Sequence, residues 1–321
     1  VIVVTGGAGF VGSAYVRHLA ATTSDPIRVL DALTYAGSLA RLGDLVDGGR
    51  VELVVGDVAD DEVVHAALAG AEVVVHAAAE SHVDRSLLDP EPFRRTNVEG
   101  TRAVARAAIE HGVDRFVHLS TDEVYGPLLD DAAPEEAPLR PTSPYARSKA
   151  EADEVVLDHV ARHGLPAVIV RSSNQYGPWQ FPEKLIPYFT ALLLDGRDAP
   201  LYGDGLHERD WLHVDDNVAA IELVRLEGEV GGTYNVSAHQ HRSNRSVAEA
   251  IAALVGADRE RIIAVADRTE HDRRYAMRTE RIERLGFRPH RTFDPGLADT
   301  VRWIADHETW WRPLLATVRN R

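Results

Sequence analysis

The chain has 321 residues, enough for one large α/β unit or two lobes around a cleft, and 45% of them are apolar, enough to fill a core of that size. It contains no cysteine, which excludes disulfides, thiolate nucleophiles and Cys-based zinc sites, and no metal is expected. A formal net charge of −15 argues against a nucleic-acid partner, no stretch is apolar enough to span a membrane, and no basic segment leads into an apolar run with a cleavage site, so a cytoplasmic enzyme is expected.

Short β-branched runs predict strands at 1–5, 27–31, 51–56, 72–76, 115–120 and 167–171. Helical patterns fall between them at about 10–21, 61–69, 97–111 and 144–163. Strand and helix alternate, which predicts an α/β fold: a Rossmann-type, doubly wound parallel sheet covered by helices on both faces. Such a sheet binds its ligands at the carboxyl ends of its strands. The acidic, Pro-rich stretch 130–141 reads as a solvated loop or as a lid over the cleft. After residue 178 the rhythm changes. Helices are predicted near 183–195, 215–227, 246–255, 278–285 and 294–307, with extended runs at 211–214, 233–237 and 261–266 and a turn-rich stretch at 201–205. This is a smaller mixed lobe. The expected division is 1–178 for a dinucleotide and 179–321 for substrate, with some chain exchange between the two.

Gly6, Gly7, Gly9 and Gly12 join the first strand to the first helix. Glycines there permit a tight turn, let backbone approach a pyrophosphate, and let the helix pack against the sheet, while the helix N-terminus offers free N–H groups to the anion. Asp31 closes the second strand, where a carboxylate accepts from a ribose 2′-hydroxyl and repels a 2′-phosphate. NAD is therefore expected rather than NADP. Asp57 closes the third strand and is placed at the adenine rim, although Asp57-Val58 also suits a turn.

Tyr145 and Lys149 form Y-x-x-x-K on a helix opened by Ser143 and Pro144. Positions i and i+4 share a helix face, so the ammonium lies beside the phenol. Making a phenol a base near neutral pH takes roughly 4 kcal/mol. A cation about 4 Å away supplies up to about 4 kcal/mol at an effective dielectric near 20.

The glycine loop with Y-x-x-x-K resembles the extended short-chain dehydrogenase/reductase family over nearly the whole chain. The resemblance implies that Thr121 hydrogen-bonds the substrate hydroxyl. Asp122 and Glu123 follow it as adjacent carboxyls, and neighbouring carboxyls push each other's pKa values apart, giving a proton donor beside an acceptor. Water elimination needs such a pair. Ser120-Thr121-Asp122-Glu123-Val124-Tyr125-Gly126 looks like the signature of the dTDP-glucose 4,6-dehydratases. The segments 78–86, 181–187, 201–211 and 271–275 are similar to others of that family.

This resemblance implies oxidation at C4, elimination across C5–C6 and hydride return to C6, with Thr121, Asp122, Glu123, Tyr145 and Lys149 as the catalytic set. It implies tightly bound NAD, regenerated in each cycle and held by Gly6, Gly9, Phe10, Val11, Gly12, Asp31, Leu33, Thr34, Asp57, Val58, Ala77, Ala78, Ala79, Thr96, Ser120, Tyr145, Lys149 and Gln175. It implies a nucleotide-sugar substrate held by Ser81, Thr121, Asn174, Lys184, Leu185, Leu201, Tyr202, Arg209, Asn244, Arg268 and His271. Three places depart from the family pattern: Gln175 replaces an Asn, Thr269-Glu270 replaces Pro-Gly, and Ala238-His239-Gln240-His241 replaces a Gly-containing turn. A homodimer is also implied, paired through the helices near 97–111 and 144–163, with Ala103, Val104, Ala107, Val155 and Val156 as its small and aliphatic residues. The rival readings are a 4-epimerase or a uronate decarboxylase on the same scaffold, or a non-catalytic NAD-binding protein. None of these needs Asp122, Glu123, Tyr145 and Lys149 together.

Overall fold

Runs of β-branched residues assemble side by side into a central sheet, because such side chains fit a pleated surface buried on both faces. The computed structural model describes residues 1–128 and 131–318. Its strands are β1 (Ile2–Thr5), β2 (Ile27–Asp31), β3 (Val51–Val55), β4 (Val73–His76), β5 (Arg115–Thr121), β6 (Ala167–Ser172), β7 (Asn174–Tyr176), β8 (Ala199–Tyr202), β9 (Glu208–His213), β10 (Thr233–Val236), β11 (His241–Ser243) and β12 (Ile262–Val265). Its helices are α1 (Phe10–Thr22), α2 (Gly43–Asp47), α3 (Asp61–Ala67), α4 (Val83–Leu88), α5 (Glu91–Phe93), α6 (Thr101–His111), α7 (Pro144–His163), α8 (Leu185–Leu194), α9 (Val214–Glu227), α10 (Asn244–Val255), α11 (Glu280–Arg284), α12 (Phe293–Asp306) and α13 (Glu308–Leu315). No described helix is long and apolar enough to cross a membrane.

Seven strands form a wholly parallel sheet in the order β10-β6-β5-β4-β1-β2-β3. The chain leaves β1 toward one edge and β4 toward the other. That switch point opens a crevice at the carboxyl ends of the central strands. Strand side chains alternate between faces. Ile2 and Val4 pack with Val16, Leu19 and Ile221 on one side, and Val3 packs with Val64, Val104 and Val156 on the other. α9 and β10 come from beyond residue 178 yet return to this layer, β10 pairing with β6.

The helical run expected from 97 starts earlier. α5 leads through a π-helical turn (Arg94–Gly100) into α6. Wide turns of this kind re-aim side chains, and here the buried Asn97 amide grips the Glu80 backbone, accepting from its N–H at 2.8 Å and donating to its carbonyl at 3.0 Å. The second lobe holds a three-stranded sheet (β11-β9-β7) and a two-stranded one (β12-β8) around Tyr176, Ile186, Trp211, Val247 and Phe293. β7 and β8 have no signal of their own in the sequence. They are short, β8 contains Pro200, and their partners, β9 for β7 and β12 for β8, come later in the chain. Of the acidic stretch 130–141, Asp130 lies outside the described residues. The Ala133 backbone is pinned at 2.9 Å both to the Ala276 carbonyl and to the Arg278 N–H.

Candidate active site

The β1–α1 turn explains its own glycines. Gly6 sits at φ +67°, and a Cβ there would lie 2.6 Å from the Ala78 backbone at the end of β4. A Cβ at Gly12 would lie 2.1 Å from the Gly6 carbonyl oxygen. Gly9 precedes α1 and offers no side-chain cap, so the helix's first N–H groups remain for an anion. The buried Asp31 carboxylate accepts from the Ala8 N–H at 2.9 Å and the Leu33 N–H at 2.8 Å. Burial raises its pKa and these two donors oppose the rise. Each oxygen keeps a further lone pair for a ribose hydroxyl. Asp57 instead accepts from the Ala59 N–H at 2.8 Å and pairs with Arg95.

A cavity of about 930 Å³ runs from this turn into the second lobe, within the range of cofactor and ligand sites. Of the expected cofactor residues, it is lined by Gly6, Gly9, Phe10, Val11, Gly12, Ala77, Ala79, Ser120, Tyr145, Lys149 and Gln175. Asp31, Leu33, Thr34, Asp57, Val58, Ala78 and Thr96 lie outside that lining. All eleven expected substrate residues and all five catalytic ones line it. Ser120 Oγ, Asn174 Oδ1 and Gln175 Oε1 are buried with no hydrogen-bond partner among the described residues. Buried polar atoms call for partners. Together with a cradle that only glycine can form, they fit a dinucleotide.

Thr121 ends β5 and caps the short 3₁₀ turn Asp122–Tyr125, its hydroxyl accepting from the Glu123 N–H at 3.3 Å and donating to Asp122 Oδ1 at 3.1 Å. Burial, then the neighbouring Glu123 charge, pushes the Asp122 carboxyl up to about 8. Burial also raises Glu123, but Arg209, Lys184 and Arg268 oppose it. The pair is therefore unequal, with Asp122 the one that keeps its proton near neutrality. Ser143 caps α7 by accepting from the Ala146 N–H at 3.0 Å, and α7 delivers Tyr145 and Lys149 to the same cavity. Burial and the Glu123 charge raise the Tyr145 phenol, while a hydrogen bond with Thr121 lowers it. Lys149 is buried and donates to the Leu119 carbonyl at 2.7 Å. Burial lowers its pKa to about 8, against the pull of Asp153.

The other end of the cavity is walled by the second lobe. Arg209 is held by the Glu208 and Asp272 carbonyls at 2.8 and 2.9 Å and lies over the Tyr275 ring. Lys184 donates to the Ser81 carbonyl at 2.5 Å. Arg268 pairs with Asp84 across the cleft at 2.7 Å and stacks on Tyr202. Asp84, Tyr35, Arg41 and Tyr275 line the site too and were not expected there. Asp84 and Tyr275 had a faint signal, the similarity of their loops to the family's, while Tyr35 and Arg41 stand in no motif assigned to the site. Glu270 lines the cavity 3.8 Å from the Arg147 guanidinium, which answers its charge. At the third departure His239 takes φ +54°, the left-handed conformation that a glycine adopts most cheaply. Asp210 holds that turn, accepting from the Ala238 and Gln240 N–H groups.

His207, Asp267 and His271 bring ligand-type atoms within 4.8 Å of one another. The two imidazoles stack at 3.5 Å and 10°, so their in-plane lone pairs cannot converge on one ion. Arg209, Arg268 and Arg273 also bear on these rings electrostatically. The cluster is a hydrogen-bonded Asp–His pair, Nδ1 of His271 lying 2.6 Å from Asp267, in a cationic field that suits an anion better than a metal.

Residues 2–237 match the model of the NAD dependent epimerase/dehydratase family. A dTDP-glucose 4,6-dehydratase from Streptomyces griseus is 49% identical over 318 residues, covering 98% of this chain and 97% of its own. One from Streptomyces antibioticus is 47% identical over 320 residues, covering 98% and 95%. The crystal structure of DesIV, the dTDP-glucose 4,6-dehydratase of Streptomyces venezuelae, solved with NAD bound, is similar at a TM-score of 0.96 and 45% identity, covering 98% of this chain and 99% of that one.

Proposed function

This chain belongs to the NAD-dependent epimerase/dehydratase family, and we infer that it is a dTDP-glucose 4,6-dehydratase, a hydro-lyase that converts dTDP-glucose to dTDP-4-keto-6-deoxyglucose. The observation that carries this is the carboxyl pair lining the cavity: a buried Asp122, pushed up to about 8, beside a Glu123 that faces three cations. Bound NAD supplies the hydride acceptor and then the hydride donor. Gly6, Gly9, Gly12, Asp31, Ser120 and Gln175 hold it.

Tyr145 takes the proton of the sugar C4 hydroxyl, and Thr121 hydrogen-bonds the same oxygen. The Lys149 ammonium offsets the negative charge that Tyr145 acquires. A ketone at C4 acidifies the C5–H. Glu123, whose rise on burial Arg209, Lys184 and Arg268 oppose, takes that proton, and Asp122 gives its own to the departing C6 hydroxyl. General acid and base help of this kind is worth about 10²–10⁴-fold each. Arg209 suits the substrate diphosphate, because a guanidinium fork matches paired phosphate oxygens. An epimerase would have no use for an acid at Asp122.

Purified protein incubated with dTDP-glucose and no added cofactor is expected to form a 4-keto-6-deoxy sugar, followed by its chromophore in alkali. Appearance of a galactose epimer instead would overturn the assignment. A cytoplasmic location and a homodimer belong to the same reading. Of the five residues first expected to pair the subunits, Ala103, Val104, Ala107 and Val156 are buried in this chain's own core and Val155 is half-buried. The pairing face is the outer side of α6 and α7, where Leu157 is 37% exposed. Light scattering at micromolar concentration is expected to give twice the chain mass, and a monomer would refute the dimer.

A further inference from the structure

Arg41 is only 1% exposed and ends a short 3₁₀ turn (Leu39–Arg41) after β2. Burying a guanidinium is costly unless its donors are met. Here they are met by carbonyls from three separate segments. Nη1 donates to the Ala8 carbonyl at 2.8 Å and the Ala36 carbonyl at 2.7 Å, and Nε and Nη2 donate to the Trp179 carbonyl at 3.1 and 2.9 Å. Ala8 belongs to the glycine loop, Ala36 to the segment after Asp31, and Trp179 to the crossing between lobes.

The same three segments frame the dinucleotide half of the cavity, which Arg41 lines. Asp31 already holds the Ala8 N–H at 2.9 Å, so Asp31 and Arg41 grip Ala8 by its N–H and its carbonyl. Trp179 sits at φ +67°, a backbone state that a bulky residue adopts only when its surroundings impose it. Its carbonyl takes two donors from Arg41, and Trp303 and Trp310 pack on its ring at 4.8 and 5.3 Å. Next to it, Gln180 donates to the Gln175 carbonyl at 2.8 Å, and Gln175 turns a buried, unpartnered amide oxygen to the cavity. Burial lowers the Arg41 pKa to about 10, which leaves it charged at neutral pH.

We propose that Arg41 is a positioning residue for NAD, a clamp that sets the glycine loop, the segment after Asp31 and the Trp179–Gln175 crossing in one register before the cofactor arrives. The inference rests on the NAD-dependent reading above. A site whose supports are fixed beforehand spends less on ordering them when ligand binds. A lysine cannot replace the clamp, because one ammonium does not span three carbonyls as a planar fork does.

The test measures two affinities on cofactor-stripped protein by calorimetry, for NAD and for dTDP, in the parent and in Arg41→Met and Arg41→Lys. Arg41→Met is expected to weaken NAD by about tenfold or more and dTDP by less than about twofold, with Arg41→Lys between parent and Arg41→Met. If Arg41→Met does not fold, Arg41→Lys decides by the same comparison. Unchanged NAD affinity would overturn the proposal. So would a parallel loss of NAD and dTDP, which marks general softening of the fold rather than positioning. Failure of the parent itself to bind NAD would remove the functional reading, and is told apart because no substitution is involved.

Discussion

Asp122→Asn is expected to slow dehydration by about 10²–10⁴-fold while leaving oxidation at C4 in place. The amide keeps the shape of the side chain and its place beside Thr121, but has no acidic proton to give the leaving hydroxyl. In a single turnover the near-ultraviolet absorbance of reduced nicotinamide should therefore rise and persist, where in the parent it decays. A variant that dehydrates at the parent rate would show that Asp122 is not the acid. The pH dependence follows from the same group. Its carboxyl is pushed up to about 8 by burial and by Glu123, so the acid form is present at neutrality and is lost above that value. The elimination step should decline as pH rises through about 8. Lys149 titrates in the same region, so C4 oxidation should decline there too, and in Asp122→Asn that second decline should remain. The sign for stability is opposite to that of a salt-bridged aspartate. The folded chain binds this proton more tightly than the unfolded one, so stability falls as pH rises from the ordinary carboxylate value of about 4 toward about 8. Asp122→Asn should therefore melt higher than the parent above pH 8 and match it near pH 4, as followed by thermal denaturation.

Tyr145→Phe is expected to lose about 10²–10⁴-fold at an earlier point, so that no reduced nicotinamide accumulates at all. The ring is kept, and with it the edge contact to Phe93 at 6.4 Å, so α7 should stay in place. What disappears is the phenol oxygen that hydrogen-bonds with Thr121 and that, on the proposed mechanism, takes the hydroxyl proton. The two variants thus separate the steps. One stops before hydride leaves C4 and the other after it. If Tyr145→Phe reduced the cofactor at the parent rate, Tyr145 would not be the base, and the Thr121–Tyr145–Lys149 arrangement would need another explanation.

Much of the scaffold was readable without coordinates. The six strands predicted in the first 180 residues are clean β-branched runs, and each appears with its bounds shifted by one residue at most. β7 and β8 were not readable, since neither contains a β-branched residue, and they are strands because β9 and β12 lie beside them. The residues expected at a dimer face were ambiguous for a related reason. Small and aliphatic residues on α6 and α7 signal burial, but a helical stripe does not say whether the sheet or another subunit covers it, and for Ala103, Val104, Ala107 and Val156 it is this chain's own core.

The Asp122–Glu123 pair marks the division most clearly. The sequence alone determined that two carboxyls stand side by side at the end of β5, that a Tyr and a Lys share one helix face, and that glycines make the β1–α1 turn. These are constraints of backbone geometry and near-neighbour spacing, which act over a few residues and so are written locally. Which carboxyl keeps the proton was decided by the tertiary structure. Burial lifts both, but Arg209, Lys184 and Arg268 reach Glu123 from the second lobe and hold it back, while Asp122 is lifted further by the Glu123 charge. The Arg41 clamp is the same kind of feature, with four hydrogen bonds to three carbonyls, two of them far away in the chain. Electrostatic fields and hydrogen bonds act through space, and only the folded chain brings those groups within reach.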